Sequence, residues 1–439
     1  MMNAFPLPLL TEKDPRDSAE GGLDPLGLYS ISDALGVKLV PGVRERQSHP
    51  RFLTSMAVSL AVCEGLEDVM ASDGVSTPRL VFEWYLVEGM IRAAGSREEV
   101  VGIPGSQKAR NAKDAAVPLS ARRYLKTPGV FGFHGIYRLL ARSLGIEQGE
   151  RLGEAGFELL RAWEREQGLQ GFASLGGSGP GAKMRRLLRE AVEDGLSTAA
   201  TARSRTWPEW SFFQRHLNIH RVGPLEARFI AERLQGDVTG HRGELLQFLV
   251  SKAGWRLWSK HPDERTLHTA MLRQAGAELT PLMEAISAYE DFARLCQDAF
   301  DDILVELTRT STKTSLHALA ALPSVILASQ RVPELFPEVM AKLEPFDQSP
   351  RFVESFASLA ERDFAVEWVK CLTAHHRRVQ RSKLPDGKNA WFECFDDGSL
   401  IIRPLYRREE GGKHDGSYVH AYRAASLAMF ARDLHLTPT

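Results

Sequence analysis

Four polar side chains near the end of the 439-residue sequence have the types that metal-dependent hydrolysis uses. Glu393, Asp396 and Asp397 follow Lys388 closely, and magnesium-dependent cleavage needs clustered carboxylates, often with a lysine. The sequence Asp-Asp-Gly at 396–398 is also typical of a tight turn. On a strand, Glu393 would share its face with no second acid. A turn is therefore the favoured interpretation, and a metal-dependent nuclease stays open as an alternative.

Two further groups lack parts that their chemistry requires. Cys371 and His375 would share a helical face, but no third metal ligand lies nearby, and Arg377-Arg378 would oppose a cation. The Gly-rich segment 176–183 ends in lysine followed by methionine, whereas a phosphate-binding loop needs lysine followed by serine or threonine. The four cysteines show no C-x-x-C spacing. We therefore predict a non-enzymatic protein without cofactor, metal or disulfide framework.

A local excess of positive charge is hidden by the overall balance of the chain. The formal net charge is −1, yet residues 108–126 contain six basic residues and the single acid Asp114. A neutral protein can still present a basic face. The Gly-rich segment 95–116, which holds half of these cations, is predicted to be a flexible loop that could lie along a phosphate backbone.

Residues 117–167 have the element order of a winged helix-turn-helix. The pattern predicts a short basic helix, a turn, a second helix from Gly132, a short hairpin and a further helix. In such a module the second helix enters the major groove of DNA. Its predicted DNA-facing residues are His134, Tyr137, Arg138 and Arg142, and its predicted buried residues are Ile136, Leu139, Leu140 and Leu144.

The sequence L-G-I-E-Q-G-E-R-L-G-E-A-G at 144–156 resembles the multiple-antibiotic-resistance regulators, whose recognition helix ends in Leu-Gly-Leu or Leu-Gly-Ile before a hairpin and Leu-Thr-x-x-Gly. Gly153 stands where that family has a threonine cap. The resemblance implies duplex DNA binding, whereas Glu147 and Glu150 in the wing would repel phosphate and favour a protein partner. The predicted nucleic-acid-binding residues are Lys108, Arg110, Lys113, Arg122, Arg123, Lys126, His134, Tyr137, Arg138 and Arg142.

The opening of the sequence carries a second resemblance. From Leu23, a Leu-Gly-Leu run and a Pro-Gly turn precede a basic-aromatic helix start at Arg51-Phe52. Over about thirty-five residues this is similar to an uncharacterised family encoded among bacterial antiphage defence genes. The resemblance implies a context in antiviral defence and supplies no chemistry.

The composition, 43% hydrophobic and 25% charged, predicts a globular protein, and the helical periodicity predicts a mainly α, multi-domain fold. Pro323, Pro333, Pro337 and Pro350 are predicted to break helices. The predicted organisation is a flexible arm at 1–22, a helical domain with the winged helix at 23–168, a helical domain at 184–350, and a helical region at 351–439 with a β-hairpin at 389–406.

A long amphipathic helix is predicted within 264–309, with a stripe from Leu282 to Leu307 that packs on partner helices or on a second copy of the chain. No run of about 18 apolar residues and no export-type start occurs, so we expect a cytoplasmic protein without membrane contact. The predicted function is a DNA-binding or adaptor subunit of a bacterial multi-protein system, with double-stranded DNA, other protein subunits and a homo-oligomer as expected partners. A protein-protein scaffold is the alternative.

Overall fold

A computed structural model describes residues 24–438 except 97, 175, 238, 362–363 and 385. Within them the chain is mainly helical, as predicted, with nineteen α-helices and two small antiparallel sheets. The predicted arm at 1–22 lies outside the described residues. The helices are α1 (Tyr29–Leu39), α2 (Arg51–Val62), α3 (Pro78–Ala93), α4 (Ser106–Asp114), α5 (Pro128–Phe131), α6 (Phe133–Ser143), α7 (Glu154–Glu166), α8 (Pro180–Thr198), α9 (Trp210–His216), α10 (Pro224–Gln235), α11 (His241–Val250), α12 (Lys252–Lys260), α13 (Glu264–Met271), α14 (Leu279–Thr310), α15 (Leu316–Ala320), α16 (Pro323–Leu343), α17 (Ser349–Ala360), α18 (Ala365–Arg381) and α19 (Ala424–Asp433). The strands are β1 (Glu147–Gln148), β2 (Arg151–Leu152), β3 (Phe392–Cys394) and β4 (Leu400–Ile402).

The described residues form two compact units, each assembled from separate stretches of sequence. The α14 unit contains residues up to 35 and residues 280–420, and the α3 unit contains residues 36–279 and 421 onwards. The domain boundaries predicted near 168–184 and at 350 each fall inside one unit, and they stay predictions.

The predicted amphipathic segment at 264–309 is two helices, α13 and α14. Its apolar stripe is buried inside the α14 unit, where the Phe292 ring lies 4.9 Å from the Phe352 ring and 5.3 Å from the Phe356 ring. The stripe is therefore part of the unit's own core and is not available to a second copy. Its buried members are Leu282, Ile286, Tyr289, Phe292, Ala293, Cys296, Phe300, Ile303 and Leu307.

Proline does not divide the chain as predicted. Pro333 and Pro337 lie inside α16, which continues through both, so the prediction that they break a helix is wrong. Packing of α16 against α17 and α18 offsets the backbone hydrogen bonds that proline cannot make. Pro323 and Pro350 lie in the first turns of their helices, where proline is tolerated.

The C-terminal hairpin predicted at 389–406 is present as β3 and β4. The strands are antiparallel, with Phe392 opposite Ile402 and Cys394 opposite Leu400. Gly398 has φ +78°, which the Asp-Asp-Gly turn requires and which glycine adopts without strain. The tight-turn interpretation of residues 396–398 is therefore confirmed.

The α3 unit is built around two helices that are buried on nearly all sides. Every residue of α2 is buried, and so are thirteen of the sixteen residues of α3. As the sequence indicates, α3 begins at a Thr77-Pro78 pair, where the Thr77 side chain accepts a hydrogen bond from the Leu80 N–H. Helices α4, α6, α8 and α9 pack against α3. All ten predicted nucleic-acid-binding residues lie in this unit.

Candidate nucleic-acid interface

The segment predicted to be a loop at 95–116 contains a helix. Residues 106–114 form α4, because Gln, Lys, Ala and Arg favour helix and because Ala109 and Ala112 bury one face against α3. Gly105 begins this helix with φ +76° and lies so close to the Tyr124 ring that a Cβ there would be 2.3 Å from it. Lys108, Arg110 and Lys113 therefore sit on a positioned helix and not on a flexible arm.

A second basic element follows α4 and contacts it. Residues 121–123 form a short 3-10 helix on which Arg122 and Arg123 are exposed. The preceding residue is held by an antiparallel bridge between Ser120 and Ala200. Lys126 follows in an exposed position.

We define the basic surface as four exposed cations on α4, on the 3-10 helix and just after it, none of which has an ion pair within the described part of the chain. They are Lys108, Arg122, Arg123 and Lys126. Lys113 of α4 is exposed as well but lines a cleft, and it is kept separate from this surface.

The predicted recognition helix α6 has a different face exposed from the one predicted. His134 and Tyr137 are buried, so the prediction that they face DNA is corrected. The Phe52 ring on α2 lies 5.2 Å from the Tyr137 ring, and the Tyr137 hydroxyl accepts a hydrogen bond from the His49 N–H. Leu139, predicted to be buried, is 48% exposed. Burying the rings of His134 and Tyr137 stabilises the fold more than leaving their polar atoms in water would. The helix is therefore rotated so that both rings face the core.

The two arginines of α6 are paired with the acids of the hairpin. Arg142 Nη2 lies 3.0 Å from Glu147 Oε1, and Arg138 Nη2 lies 3.2 Å from Glu150 Oε1. Arg79 of α3 also pairs with both acids, at 3.4 and 3.0 Å. The buried Glu147 carboxylate is thus surrounded by three guanidinium groups. These arginines are partly neutralised before any phosphate could reach them.

A buried Ser–His–Glu line, which the sequence did not indicate, connects α2, α3 and α6. His134 Nδ1 lies 3.0 Å from Glu83 Oε2, and His134 Nε2 lies 2.9 Å from the Ser59 hydroxyl. The Tyr124 hydroxyl donates to the other Glu83 oxygen at 2.7 Å. Burial lowers the pKa of His134, although Glu83 opposes this effect. A neutral His134 therefore donates to Glu83 and accepts from Ser59.

This line has the hydrogen-bond order of a nucleophile, base and carboxylate. Ser59 is 0% exposed, however, and lies within α2, all of whose residues are buried. A substrate could not reach its hydroxyl. The hydrogen bonds among these side chains therefore have a structural role and link α2, α3 and α6. The three residues are far apart in sequence and on separate helices, which is why no spacing could have revealed them.

A cleft with a cationic lining lies at the C-terminal end of α3. Its volume is about 470 Å³, and we call it the α3–α4 cleft. Lys113 also lines a second cavity of about 410 Å³, together with Arg110. The charged residues that line the α3–α4 cleft are Glu88, Arg92, Lys113, Arg203 and Arg205. Of these residues only Lys113 was predicted from the sequence, because the others lie outside the basic run, on α3 or more than thirty positions after the predicted winged helix.

The carboxylates behind the nuclease alternative lie on the hairpin of the α14 unit. Asp397 accepts hydrogen bonds from the Ser399 N–H and hydroxyl, which lower its pKa. Glu393 faces Arg403, with 3.7 Å between Oε1 and Nη1. Among the described residues, no group of three His, Cys, Asp or Glu side chains is placed to hold a metal ion.

No family model, no curated protein and no solved structure matches this chain. In the part of the chain that the structure describes, no helix is both long and apolar enough to cross a membrane.

Proposed function

We propose that this protein binds duplex DNA through the basic surface, without strong sequence preference. The observation that carries the proposal is that Lys108, Arg122, Arg123 and Lys126 are exposed and have no acidic partner among the described residues. Exposed cations release counterions when they contact phosphates, which is the main source of non-specific DNA affinity. The neighbouring Lys113, which is also exposed, and the half-buried Arg110 line cavities beside α4 and are not counted in this surface.

The order of α5, α6, the β1–β2 hairpin and α7 supports a winged helix. This winged helix would use an unusual side for DNA, because its second helix has buried His134 and Tyr137 and pairs Arg138 and Arg142 with acids. Phosphate contact from the preceding basic elements would position DNA without reading bases. The protein would then act as a DNA-binding or adaptor subunit, and the opening resemblance suggests bacterial antiviral defence as its context.

The scaffold alternative is favoured by one observation on α6. Its outward face combines the exposed Leu139 with Arg138 and Arg142, whose charges the hairpin acids offset. A partly apolar face with little free charge suits a protein partner better than phosphate. This role is compatible with DNA binding, because the basic surface lies on other elements.

The test measures fluorescence anisotropy of a labelled mixed-sequence duplex with the full chain at 50–300 mM salt. We expect a Kd of about 1–100 μM at the lower salt concentrations, weakening steeply as salt rises. Replacing Lys108, Arg122, Arg123 and Lys126 with glutamine should flatten the log–log salt slope by about 3–4. Absence of binding at 50 mM salt, or an unchanged slope in this variant with native circular dichroism, would refute the proposal.

A further inference from the structure

Two residues that line the α3–α4 cleft each have one buried polar atom without a hydrogen-bond partner in the described structure, one a donor and one an acceptor. Arg203 Nε is a donor and Glu88 Oε2 is an acceptor. Each side chain is otherwise engaged, because Arg203 Nη2 lies 2.9 Å from Asp194 and Glu88 Oε1 accepts from Arg92 Nη2 at 2.6 Å. Buried polar atoms are costly to leave unpaired. A ligand that pairs both must carry an acceptor and a donor.

The charge of the cleft identifies the acceptor as an anion. Arg92, Lys113, Arg203 and Arg205 line the cleft with the single acid Glu88. Arg92 is offset by Glu88 and Arg203 by Asp194, whereas the exposed Arg205 has no ion pair within the described ranges. Lys113 donates to the Ile91 carbonyl, a neutral group, at 3.1 Å. Lys113 and Arg205 therefore supply two positive charges without acidic partners, which match a phosphate monoester dianion.

The remaining lining suits the other parts of a nucleotide. Glu88 Oε2 can accept a hydrogen bond from a sugar hydroxyl, which is how carboxylates hold ribose in many nucleotide sites. Val117, Pro118, Ala112 and Ala116 give an apolar wall for a base. The volume of about 470 Å³ lies in the usual range for small-molecule sites and excludes a duplex.

We propose that the α3–α4 cleft binds a nucleoside 5′-phosphate, with the phosphate at Lys113, Arg203 and Arg205 and a sugar hydroxyl at Glu88. The nucleotide is either free or the 5′-terminal unit of a strand. This site goes beyond the basic surface proposed for duplex DNA and does not depend on it.

The test uses isothermal titration calorimetry of the full chain with AMP, adenosine and inorganic phosphate. AMP should bind more tightly than either fragment. Arg205→Gln should weaken AMP about tenfold, the usual effect of losing one charge-assisted hydrogen bond, while the matched control Lys108→Gln on α4 should leave AMP affinity unchanged. Glu88→Gln should weaken AMP and not inorganic phosphate. Because Arg205 is exposed, its replacement should not disturb folding.

Two arms separate the sources of the nucleotide. A preference for a 5′-phosphorylated over a 5′-hydroxyl single-stranded oligonucleotide, lost in Arg205→Gln, assigns the site to strand ends. Equal binding of both oligonucleotides with AMP binding retained assigns it to the free nucleotide. No AMP binding at millimolar concentration, or AMP binding that Arg205→Gln leaves unchanged, would overturn the proposal. Closed circular plasmid has no strand ends, so its binding reports on the basic surface alone and separates the two failures.

Discussion

The basic surface and the face formed by α6 and the β1–β2 hairpin carry similar numbers of cations, but the surroundings of these cations differ. Arg122 and Arg123 are exposed and have no acidic partner in the described structure. Arg138 and Arg142 lie against Glu147 and Glu150 at 3.0–3.4 Å. Counting basic residues along a sequence therefore does not locate an anion-binding surface, because pairing with acids decides which cations remain available.

The first prediction tests the orientation of α6 and has the largest expected effect. Tyr137→Ala should lower the free energy of unfolding by about 3–5 kcal/mol, because it removes a fully buried ring. Tyr137→Phe is the matched control and should cost only about 1 kcal/mol through the lost hydrogen bond to the His49 N–H. Urea unfolding gives both values. A stable Tyr137→Ala variant with weakened DNA binding would restore the original DNA-facing assignment of this residue.

The second prediction concerns the acid that pairs with the arginines of α6, whose removal should make that face resemble the basic surface. Glu147→Ala removes the carboxylate around which Arg79, Arg138 and Arg142 gather. We expect a loss of about 2 kcal/mol in the free energy of unfolding, together with tighter duplex binding, because the arginines become available to phosphate. Denaturant titration and anisotropy measure the two effects. Unchanged or weaker binding in the folded variant would show that the acids do not limit DNA contact on this face.

The third prediction concerns pH and the buried His134. Because burial lowers its folded-state pKa below 6.5, the unfolded chain binds more protons in the window beneath that value. The stabilisation from neutral His134 should be complete above pH 6.5 and should be lost as pH falls, by at most about 1.4 kcal/mol per pH unit. The groups that influence this titration are Glu83, Arg79 and Glu147.

The measurement is the difference in unfolding free energy between the natural chain and His134→Gln from pH 7.5 to 5. That difference should shrink as pH falls. A His134 side chain exposed to DNA would instead strengthen duplex binding as pH decreases from 7.5 to 6, and this strengthening would have to disappear in His134→Gln. Such a result would contradict the buried position.

Much of the fold followed from local patterns, whereas the details of the candidate sites did not. The hairpin turn at 396–398 and the stripe of α14 were predicted because turn residues and three-to-four spacing act over a few residues. The rotation of α6 was wrong because tertiary packing decides whether a tyrosine or histidine faces inward. Helix α16 was divided wrongly because packing there outweighs proline.

The positions of the cations were also only partly predictable from the sequence. Six cations at 108–126 were visible as a run in the sequence, but the α3–α4 cleft also needs Glu88, Arg92 and residues 203–205. The Ser120–Ala200 bridge and the packing of α4 and α8 against α3 bring these distant segments together. No periodicity within one element could have indicated that meeting.

Pairing with acids separates the basic surface from the outward face of α6. The most direct measurement compares the salt dependence of duplex binding for Arg122→Gln/Arg123→Gln and Arg138→Gln/Arg142→Gln, two variants with the same change in charge. The first should flatten the log–log slope by about 1.8 and the second by less than about 0.5. Equal flattening, or a larger effect of the α6 pair, would show that pairing with acids does not decide which cations contact DNA.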